Sequence, residues 1–275
     1  MTDRARLLDT DGFNQIARTG DGYCLYNRND RYVGPAIETY GEFSAHERDL
    51  LLQLCTPGDV VFEVGANIGA HTVPLARRVD PGGAVYAFEP QRVVFQALCA
   101  NIAINSLANV HCHWMALGEA AGTINVPYLD PAKRQNFGGL SMGGNSARSE
   151  TVDCRTLDHF IDLPRLRLVK IDVEGMEQAV IRGGHRLLDK FKPLLYLEND
   201  RVDQSESLIR LLDSLGYDLY WHLPPLFNKN NFYGVAENIF PKLASFNMIG
   251  VHRENTVAKP GLPKITDFSA HPLKR

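Results

Sequence analysis

The sequence predicts an α/β protein whose parallel sheet is covered by helices on both faces. Short apolar runs rich in β-branched residues alternate with segments of helical periodicity from residue 60 to residue 252, and Gly, Pro, Asn and Asp punctuate them. Strands buried on both faces read as continuous apolar runs, and parallel neighbours need crossover connections. Alternation of this kind therefore favours a parallel sheet over an all-β or all-α protein.

The predicted elements follow one another without an internal repeat or a linker. A helix over 45–55 opens the series, with Ser44 as its N-cap and Glu47 at the capping-box position. The predicted strands are 60–64, 84–88, 110–115, 166–171, 193–197, 217–221 and 248–252. The predicted helices after the first are 69–79, 92–105, 175–183 and 204–215. We therefore expect a single domain over residues 1–275.

Composition and charge exclude several classes of protein. The net charge of −3 offers no basic face for nucleic acid, and no apolar segment approaches the ~18–20 residues that span a bilayer. The first residues lack the apolar core of a secretory signal. Five scattered cysteines without a Cys-x-x-Cys pair indicate a reduced protein, so we expect a cytoplasmic location.

The most informative motif is a strand, a glycine turn and the start of a helix. The apolar run 60–64 passes into Gly65-Ala66-Asn67-Ile68-Gly69, a turn that admits a ligand against bare backbone. Glu89 closes the next apolar run 20 residues after Gly69, near the interval at which Rossmann-like folds place a carboxylate on a ribose. These features predict a pocket for an adenosine-containing cofactor. The turn lacks Gly-x-Gly-x-x-Gly, which weighs against the alternative of a nicotinamide cofactor.

More acids follow the later strands of the predicted sheet. Asp172 and Glu174 come after the run at 166–171, and Glu198 comes after the next strand. Ligands of open α/β sheets bind beyond the carboxyl ends of the strands, where converging acids need a cation, a metal or hydrogen-bond donors. The same acids are also favoured at helix starts by the macrodipole. Nothing in the sequence requires a metal, and we predict none.

Three segments resemble the FkbM-type S-adenosylmethionine-dependent methyltransferases. They are the Glu63-Val-Gly-Ala-Asn-Ile-Gly69 turn, the Phe88-Glu-Pro90 strand end and the Lys170-Ile-Asp-Val-Glu-Gly175 segment, within a likeness that runs from about Tyr40 to His252. The resemblance implies the Rossmann-like class I methyltransferase fold, a seven-stranded, mostly parallel sheet with its last strand antiparallel. It also implies methylation of hydroxyl groups, often on sugars or polyketide-like natural products.

The resemblance further implies a site for S-adenosyl-L-methionine. In it, His71 and Thr72 would face the cofactor's carboxylate, and Glu89 would bind both ribose hydroxyls. Met115 and Ala116 would border the adenine. The complete expected set is Glu63, Gly65, Ala66, Asn67, Gly69, His71, Thr72, Glu89, Met115, Ala116 and Asp172.

A sugar hydroxyl is a poor nucleophile, so methyl transfer to it benefits from a general base. Asp172 and Glu174 are the first candidates, Glu198 is the next and His222 is a more distant one. The favoured function is O-methylation of a sugar, glycolipid or secondary metabolite. The alternatives are transfer to nitrogen or a carboxylate, a nicotinamide-dependent oxidoreductase, and a binding module without activity.

The single domain divides by expected role. Residues 1–56 would form an N-terminal cap, 57–221 the Rossmann-like core, 222–246 a lid over the acceptor, and 247–275 the last strand and a tail. Rings and amides suit a lid on a sugar-like acceptor; the rings here are Phe227, Phe232, Tyr233 and Phe240. A packing insertion or a dimer contact is the alternative. We expect a small-molecule or glycan acceptor, no nucleic acid, and a possible homodimer.

Overall fold

The structure is a computed structural model that describes residues 11–140, 148–255 and 261–274. Its strands, in chain order, are β1 Asn14–Thr19, β2 Gly22–Asn27, β3 Val60–Val64, β4 Ala84–Phe88, β5 Val110–His113, β6 Ala116–Leu117, β7 Gly122–Pro127, β8 Ser149–Arg155, β9 Leu168–Ile171, β10 Leu194–Glu198, β11 Tyr217–His222 and β12 Asn247–His252. Its α-helices are α1 Val33–Tyr40, α2 Ala45–Leu54, α3 Thr72–Val79, α4 Arg92–Ile104, α5 Glu177–Arg182, α6 His185–Phe191 and α7 Val202–Ser214. A short 3-10 helix covers Leu157–Phe160.

Seven strands form the central sheet in the order β11-β12-β10-β9-β3-β4-β5. The pairs among β10, β9, β3, β4 and β5 are parallel, whereas β12 runs antiparallel to both β10 and β11. This confirms the predicted Rossmann-like class I fold with an antiparallel last strand. All seven predicted strands are present, and their bounds differ from the prediction by at most two residues at either end.

The sheet changes its winding direction at β3. From β3 the chain moves to β4 and β5 on one side, and it later returns to build β9 and β10 on the other. Ligands of open α/β sheets bind at such a switch point. Residues that follow β3, β4, β9 and β10 therefore meet at one edge of the sheet.

The core lies on both faces of the sheet. Phe62 and Ile171 belong to a buried apolar cluster on one face, and Leu75 of α3 and Leu51 of α2 belong to a cluster on the other. Such burial on both faces explains why the strands read as continuous apolar runs. None of the helices in the described ranges has the length and apolar character that crossing a membrane requires.

Several elements were not predicted. The hairpin of β1 and β2, the helices α1 and α6, and a small sheet with the order β6-β8-β7 are additions to the predicted scheme. The hairpin attaches to the domain through Asn101 of α4, which is buried. Its side-chain oxygen accepts from Leu25 N at 2.5 Å, and its amide donates to Leu25 O at 2.9 Å and Ile68 O at 2.8 Å. One helical side chain thus joins the hairpin to the glycine turn.

Two details predicted for helix starts are wrong, although α2 begins at Ala45 as predicted. The capping box at α2 does not form, because Ser44 adopts a left-handed conformation with φ 45° and caps no backbone N–H. Its hydroxyl instead donates to Glu47 Oε2 at 3.2 Å, and the Glu47 side chain is buried. Helix α3 begins at Thr72 rather than Gly69, whose φ of +86° lies outside the helical region.

Candidate active site

A cavity of about 440 Å³ lies at the carboxyl edge of the sheet, over the switch point. Its walls come from the ends of β3, β4, β9 and β10, from the N-terminal cap and from the segment before β12. The predicted residues that line it are Glu63, Gly65, Ala66, Asn67, His71, Glu89, Met115, Ala116, Asp172 and Glu174. Gly69 and Thr72 do not line it, so their predicted direct contact with a cofactor is not supported.

The glycine turn brings bare backbone into this cavity. Gly65 has φ +84°, and a Cβ at this position would lie 1.9 Å from the carbonyl oxygen of Asp172. The Gly65 and Ala66 amides both donate to Phe88 O at 3.0 Å, which fixes the turn against β4. Only glycine satisfies both the backbone angle and the close approach of the two strand ends.

Glu89 is held at the end of β4 by two backbone amides. Its Oε1 accepts from Gln91 N at 2.8 Å, and its Oε2 accepts from Asn67 N at 3.0 Å. The side chain is 3% exposed. Burial raises the pKa of Glu89 to about 7, and the negative charges of Asp172 and Glu63 act in the same direction. The carboxyl group is therefore fixed in position and titrates near neutral pH.

A buried cation organises the acids beneath the cavity. Lys170 on β9 is 2% exposed, and its Nζ donates to Asp172 Oδ2 at 3.0 Å and lies 4.0 Å from Glu47 Oε1. Burial lowers the pKa of Lys170, but the charges of Asp172, Glu47 and Glu63 raise it above its usual range. Lys170 is therefore a permanent cation and not a base.

Glu47 and Glu63, the two glutamates whose charges act on Lys170, are also buried. Burial raises the pKa of Glu63 and of Glu47 to about 7, while the Lys170 charge opposes that shift. Glu63 also accepts from Thr72 Oγ1 at 2.6 Å. Thr72 thus supports the cavity wall through Glu63 without reaching the cavity itself.

His71 lies in the cavity wall just before α3. Burial lowers the pKa of His71 well below 6.5, and the Lys170 charge adds to this, so the imidazole is neutral. Its Nδ1 is 3.9 Å from Glu47 Oε1, whereas its buried Nε2 has no hydrogen-bond partner in the described part of the chain. A buried polar atom without a partner is uncommon and suits a site that receives a ligand.

Three acids meet beyond β9 and β10. Oxygens of Asp172, Glu174 and Glu198 all lie within 4.8 Å of one another, a spacing that could hold a cation. Lys170 pairs with Asp172, and Arg201 Nη2 pairs with Glu174 Oε2 at 2.5 Å, so two of the three charges already have protein partners. The prediction of no metal therefore stays a prediction.

Glu198 differs from the other two acids. Burial raises the pKa of Glu198 to about 11, with Asp172 and Glu174 adding to the effect, and its buried Oε2 has no partner among the described residues. This direction of shift weighs against its predicted place as a reserve base, which stays a prediction. Burial also raises the pKa of Glu174 to about 7. Asp172, with a side chain 39% exposed, is the most open of the three.

His222 is not in the cavity wall. Its Nδ1 lies 2.9 Å from the Tyr196 hydroxyl, and burial lowers the pKa of His222 to about 4. The suggestion that it serves as a base is therefore not supported.

The end of the cavity opposite the three acids is apolar. It is lined by Phe88, Met115, Ala116, Leu117 and Ile124.

The segment between β11 and β12, residues 223–246, places its predicted lid aromatics away from the cavity. Phe227 and Phe240 lie against Tyr40 of α1, with ring centroids 5.4 Å and 6.2 Å apart. None of the four predicted lid aromatics lines the cavity, so the packing alternative applies to these rings. The part of the segment that does line it is Leu226 and residues 243–246.

Sequence reasoning missed several residues of this site. Glu47 was predicted to cap a helix. The structure instead buries its side chain in the cavity wall. Lys170 appeared only as the first residue of a segment that resembles the family; a lysine inside an otherwise apolar strand was the available signal. Leu273 also lines the cavity, and no pattern in the sequence pointed to it.

Proteins similar in sequence to this chain include named methyltransferases. Residues 63–219 match the sequence model of the family described as "Methyltransferase FkbM domain". The chain is 52% identical over 212 residues to 31-O-demethyl-FK506 methyltransferase FkbM of Streptomyces tacrolimicus, covering 66% of this chain and 80% of that protein. It is 29% identical over 134 residues to hexuronic acid methyltransferase AglP of Haloferax volcanii, covering 49% of this chain and 53% of that protein.

Among solved structures, the chain resembles a methyltransferase FkbM from Methylobacillus flagellatus. The identity is 18% and the TM-score 0.46, covering 70% of this chain and 43% of that one. The chain thus spans about half the length of AglP and less than half of the M. flagellatus protein. The family match covers more than half of the chain, including the glycine turn, Glu89 and Asp172. This chain belongs to the FkbM methyltransferase family.

Proposed function

We propose that the protein transfers a methyl group from S-adenosyl-L-methionine to a hydroxyl group. The observation that carries the proposal is a single cavity that joins a fixed carboxyl group, an apolar end and a set of acids at the switch point. A volume of about 440 Å³ lies within the usual range of small-molecule sites, roughly 300–1,000 Å³. The buried, unpartnered Nε2 of His71 suits a cofactor with polar groups at that end.

Each part of the cofactor has a fitting surface. Glu89 would accept hydrogen bonds from the ribose hydroxyls, and the wall that contains Met115 and Ala116 would border the adenine. Gly65 would let the methionine part lie against the backbone, and Asp172 would face its positive charges. When bound, the cofactor supplies a methyl group already activated on a sulfonium, so the protein's task is alignment.

Asp172 is the proposed base for the acceptor hydroxyl. Its carboxylate is open to the cavity, and Lys170 holds Oδ2 at 3.0 Å. Glu174 is less free, because Arg201 holds its carboxylate. Protonated Glu198 would act as a hydrogen-bond donor beside them. The name of the relative FkbM, a 31-O-demethyl-FK506 methyltransferase, favours methylation of an oxygen, and transfer to nitrogen or a carboxylate remains the alternative.

Asp172→Asn is expected to lower the rate of methyl transfer by about 10²- to 10⁴-fold, the range typical of a general base. Glu174→Gln is expected to lower it less, because Arg201 already neutralises that side chain. Transfer of radiolabelled methyl from the cofactor into small-molecule acceptors would be measured for both proteins, after S-adenosylhomocysteine binding has been verified. Full activity of both variants would remove these residues as bases.

Glu89→Gln is expected to weaken S-adenosylhomocysteine binding by about 10- to 100-fold, because hydrogen bonds to charged groups contribute about 1.5–3 kcal/mol. For the unmodified protein, affinity should fall as the pH is lowered through about 7, since burial raises the pKa of Glu89 to that region and ribose binding favours the ionised form. In Glu89→Gln that component of the pH dependence should disappear. Calorimetric titrations at pH 6 and pH 8 measure both effects; an unchanged pH dependence in the variant would assign it to another carboxyl group.

We also propose that the segments flanking the core act with it as one catalytic domain. Asn228 Nδ2 donates to Glu42 Oε1 at 2.9 Å, and Tyr233 N donates to Tyr40 O at 3.1 Å. These contacts join residues 223–246 to the N-terminal cap. In this proposal the two segments form a fixed wall and not a freely moving lid.

A further inference from the structure

We propose that the methyl acceptor is an uncharged alcohol on an apolar framework, and that anionic sugars are excluded. The surface that makes this selection, here called the acceptor wall, consists of Leu226, Leu243, Phe246 and Leu273. The inference rests on the proposed methyl transfer, because it identifies what lies opposite the cofactor in the same cavity. All four residues lie outside residues 63–219, the part that matches the family.

Hydrogen bonds locate the first half of the acceptor wall beside the acids. Glu198 pairs with Asn247 across β10 and β12, and the next amide, Asn199 N, donates to Phe246 O at 2.7 Å. Leu226 N donates to Leu243 O at 3.0 Å, which ties the two leucines together. This part of the wall therefore stands at the end of β10, on the Asp172 side of the cavity.

The C-terminal residues 261–274 supply the second half. His271 is buried, and its Nε2 lies 2.8 Å from Asn199 O, while its Nδ1 accepts from Leu273 N at 3.1 Å. The imidazole ring also stacks on Phe246 with centroids 5.9 Å apart. These contacts fix Leu273 next to Phe246, so two segments distant in sequence form one wall.

The wall presents apolar surface that the fold does not cover. Leu243 is 38% exposed and Leu273 is 48% exposed, and both face the same cavity. Single exposed leucines are ordinary, but two that converge on one cavity beside a buried Leu226 make a continuous apolar surface. An acceptor with an aliphatic ring or chain would bury this surface, whereas a sugar without such a group would leave it exposed to water.

The charges nearby discriminate against an anionic acceptor. Asp172, Glu174 and Asp200 line the cavity next to the wall. Lys170 is the only lysine or arginine that lines it within the described ranges, and Asp172 already holds its ammonium group. Arg201 is also already held by acids, because it pairs with Glu174 and Asp200. A carboxylate on the acceptor would therefore meet like charge, and like-charge contacts oppose binding.

The test uses three probes below their micellar concentrations: octyl β-D-glucoside, octyl β-D-glucuronide and glucose. Binding to the full chain saturated with S-adenosylhomocysteine is measured by calorimetry. We expect the glucoside to bind at least tenfold more tightly than either the glucuronide, which adds the charge, or glucose, which lacks the chain. Equal or tighter binding of the glucuronide or of glucose, or no saturable binding of the glucoside, would overturn the proposal.

Single substitutions test whether the acceptor wall itself binds the probe. Leu273→Ser and Leu243→Ser should each weaken glucoside binding about fivefold or more, and Asp200→Asn should reduce the preference over the glucuronide. Leu223→Ser is the matched control, because Leu223 is 42% exposed in the same segment and does not line the cavity. An equal loss in Leu223→Ser would also refute the assignment. Failure of S-adenosylhomocysteine to bind would refute the proposed function, whereas cofactor binding without probe discrimination refutes only this inference.

Discussion

Gly65→Ala is expected to abolish detectable cofactor binding and methyl transfer. The added Cβ would lie 1.9 Å from Asp172 O, and the backbone of two central strand ends would have to separate to relieve the overlap. A displacement of 1 Å near a reacting centre can cost about 100-fold in rate. The same substitution also forces alanine into φ +84°, which adds roughly 1–2 kcal/mol of strain.

Gly82→Ala is the matched control for Gly65→Ala. Gly82 has a similar φ of +81°, but nothing lies within 4 Å of the position its Cβ would take. This variant should incur only the backbone strain of alanine at a positive φ and should bind S-adenosylhomocysteine normally. Thermal unfolding and calorimetric titration of both variants measure the comparison. Normal binding by Gly65→Ala would contradict the close approach between β3 and β9.

Lys170→Met is expected to lower the free energy of unfolding by about 3–5 kcal/mol, the usual cost of removing one partner from a buried ion pair. The methionine fills a similar volume, so the loss would come from charge. Asp172, Glu47 and Glu63 would remain beneath the cavity without the cation that now offsets them.

The loss in Lys170→Met should depend on pH in a defined direction. Burial already raises the pKa of Glu47 and Glu63 to about 7, and removal of Lys170 raises both further. A folded-state pKa above the unfolded value means that the folded state binds more protons, so stability falls as pH rises through that window. The difference between wild type and variant should therefore be smaller at pH 5 than at pH 8.

Urea denaturation at the two pH values measures this difference. Lys133→Met serves as a control, because its side chain is 75% exposed and its ion pair with Asp130 is 3.7 Å long. Exposed pairs contribute about 0–1 kcal/mol, and this control should show little change at either pH. A loss in Lys170→Met that is the same at pH 5 and pH 8 would argue that packing, not charge, is what Lys170 contributes.

The central sheet could be predicted because its strands are buried on both faces. The runs at β3 and β4 were predicted with their observed bounds, since every residue of β3 is buried and Glu63 is the only charged residue in either strand. The hairpin of β1 and β2 has a mixed burial pattern, and it is held by the side chain of Asn101, a contact between distant parts of the chain. Local periodicity carries no signal for such a contact.

The cofactor end of the cavity was more predictable than the acceptor end. Gly65, Glu89 and Asp172 follow strands of one parallel sheet, so their convergence follows from topology. Leu273 reaches the cavity only because His271 is fixed on Asn199 O, which no spacing reveals. The aromatics at 227–240 looked suited to an acceptor, but α1, which was not predicted, packs against them instead.

The central claim is that the cavity over β3 and β9 binds S-adenosylmethionine and its product. The most direct measurement is a calorimetric titration of the purified full chain with S-adenosylhomocysteine, with NAD titrated in parallel. We expect S-adenosylhomocysteine to bind to the unmodified protein at one site and to bind more weakly to the Glu89→Gln variant. We expect no binding of NAD. Saturable binding of NAD without binding of S-adenosylhomocysteine would contradict the account.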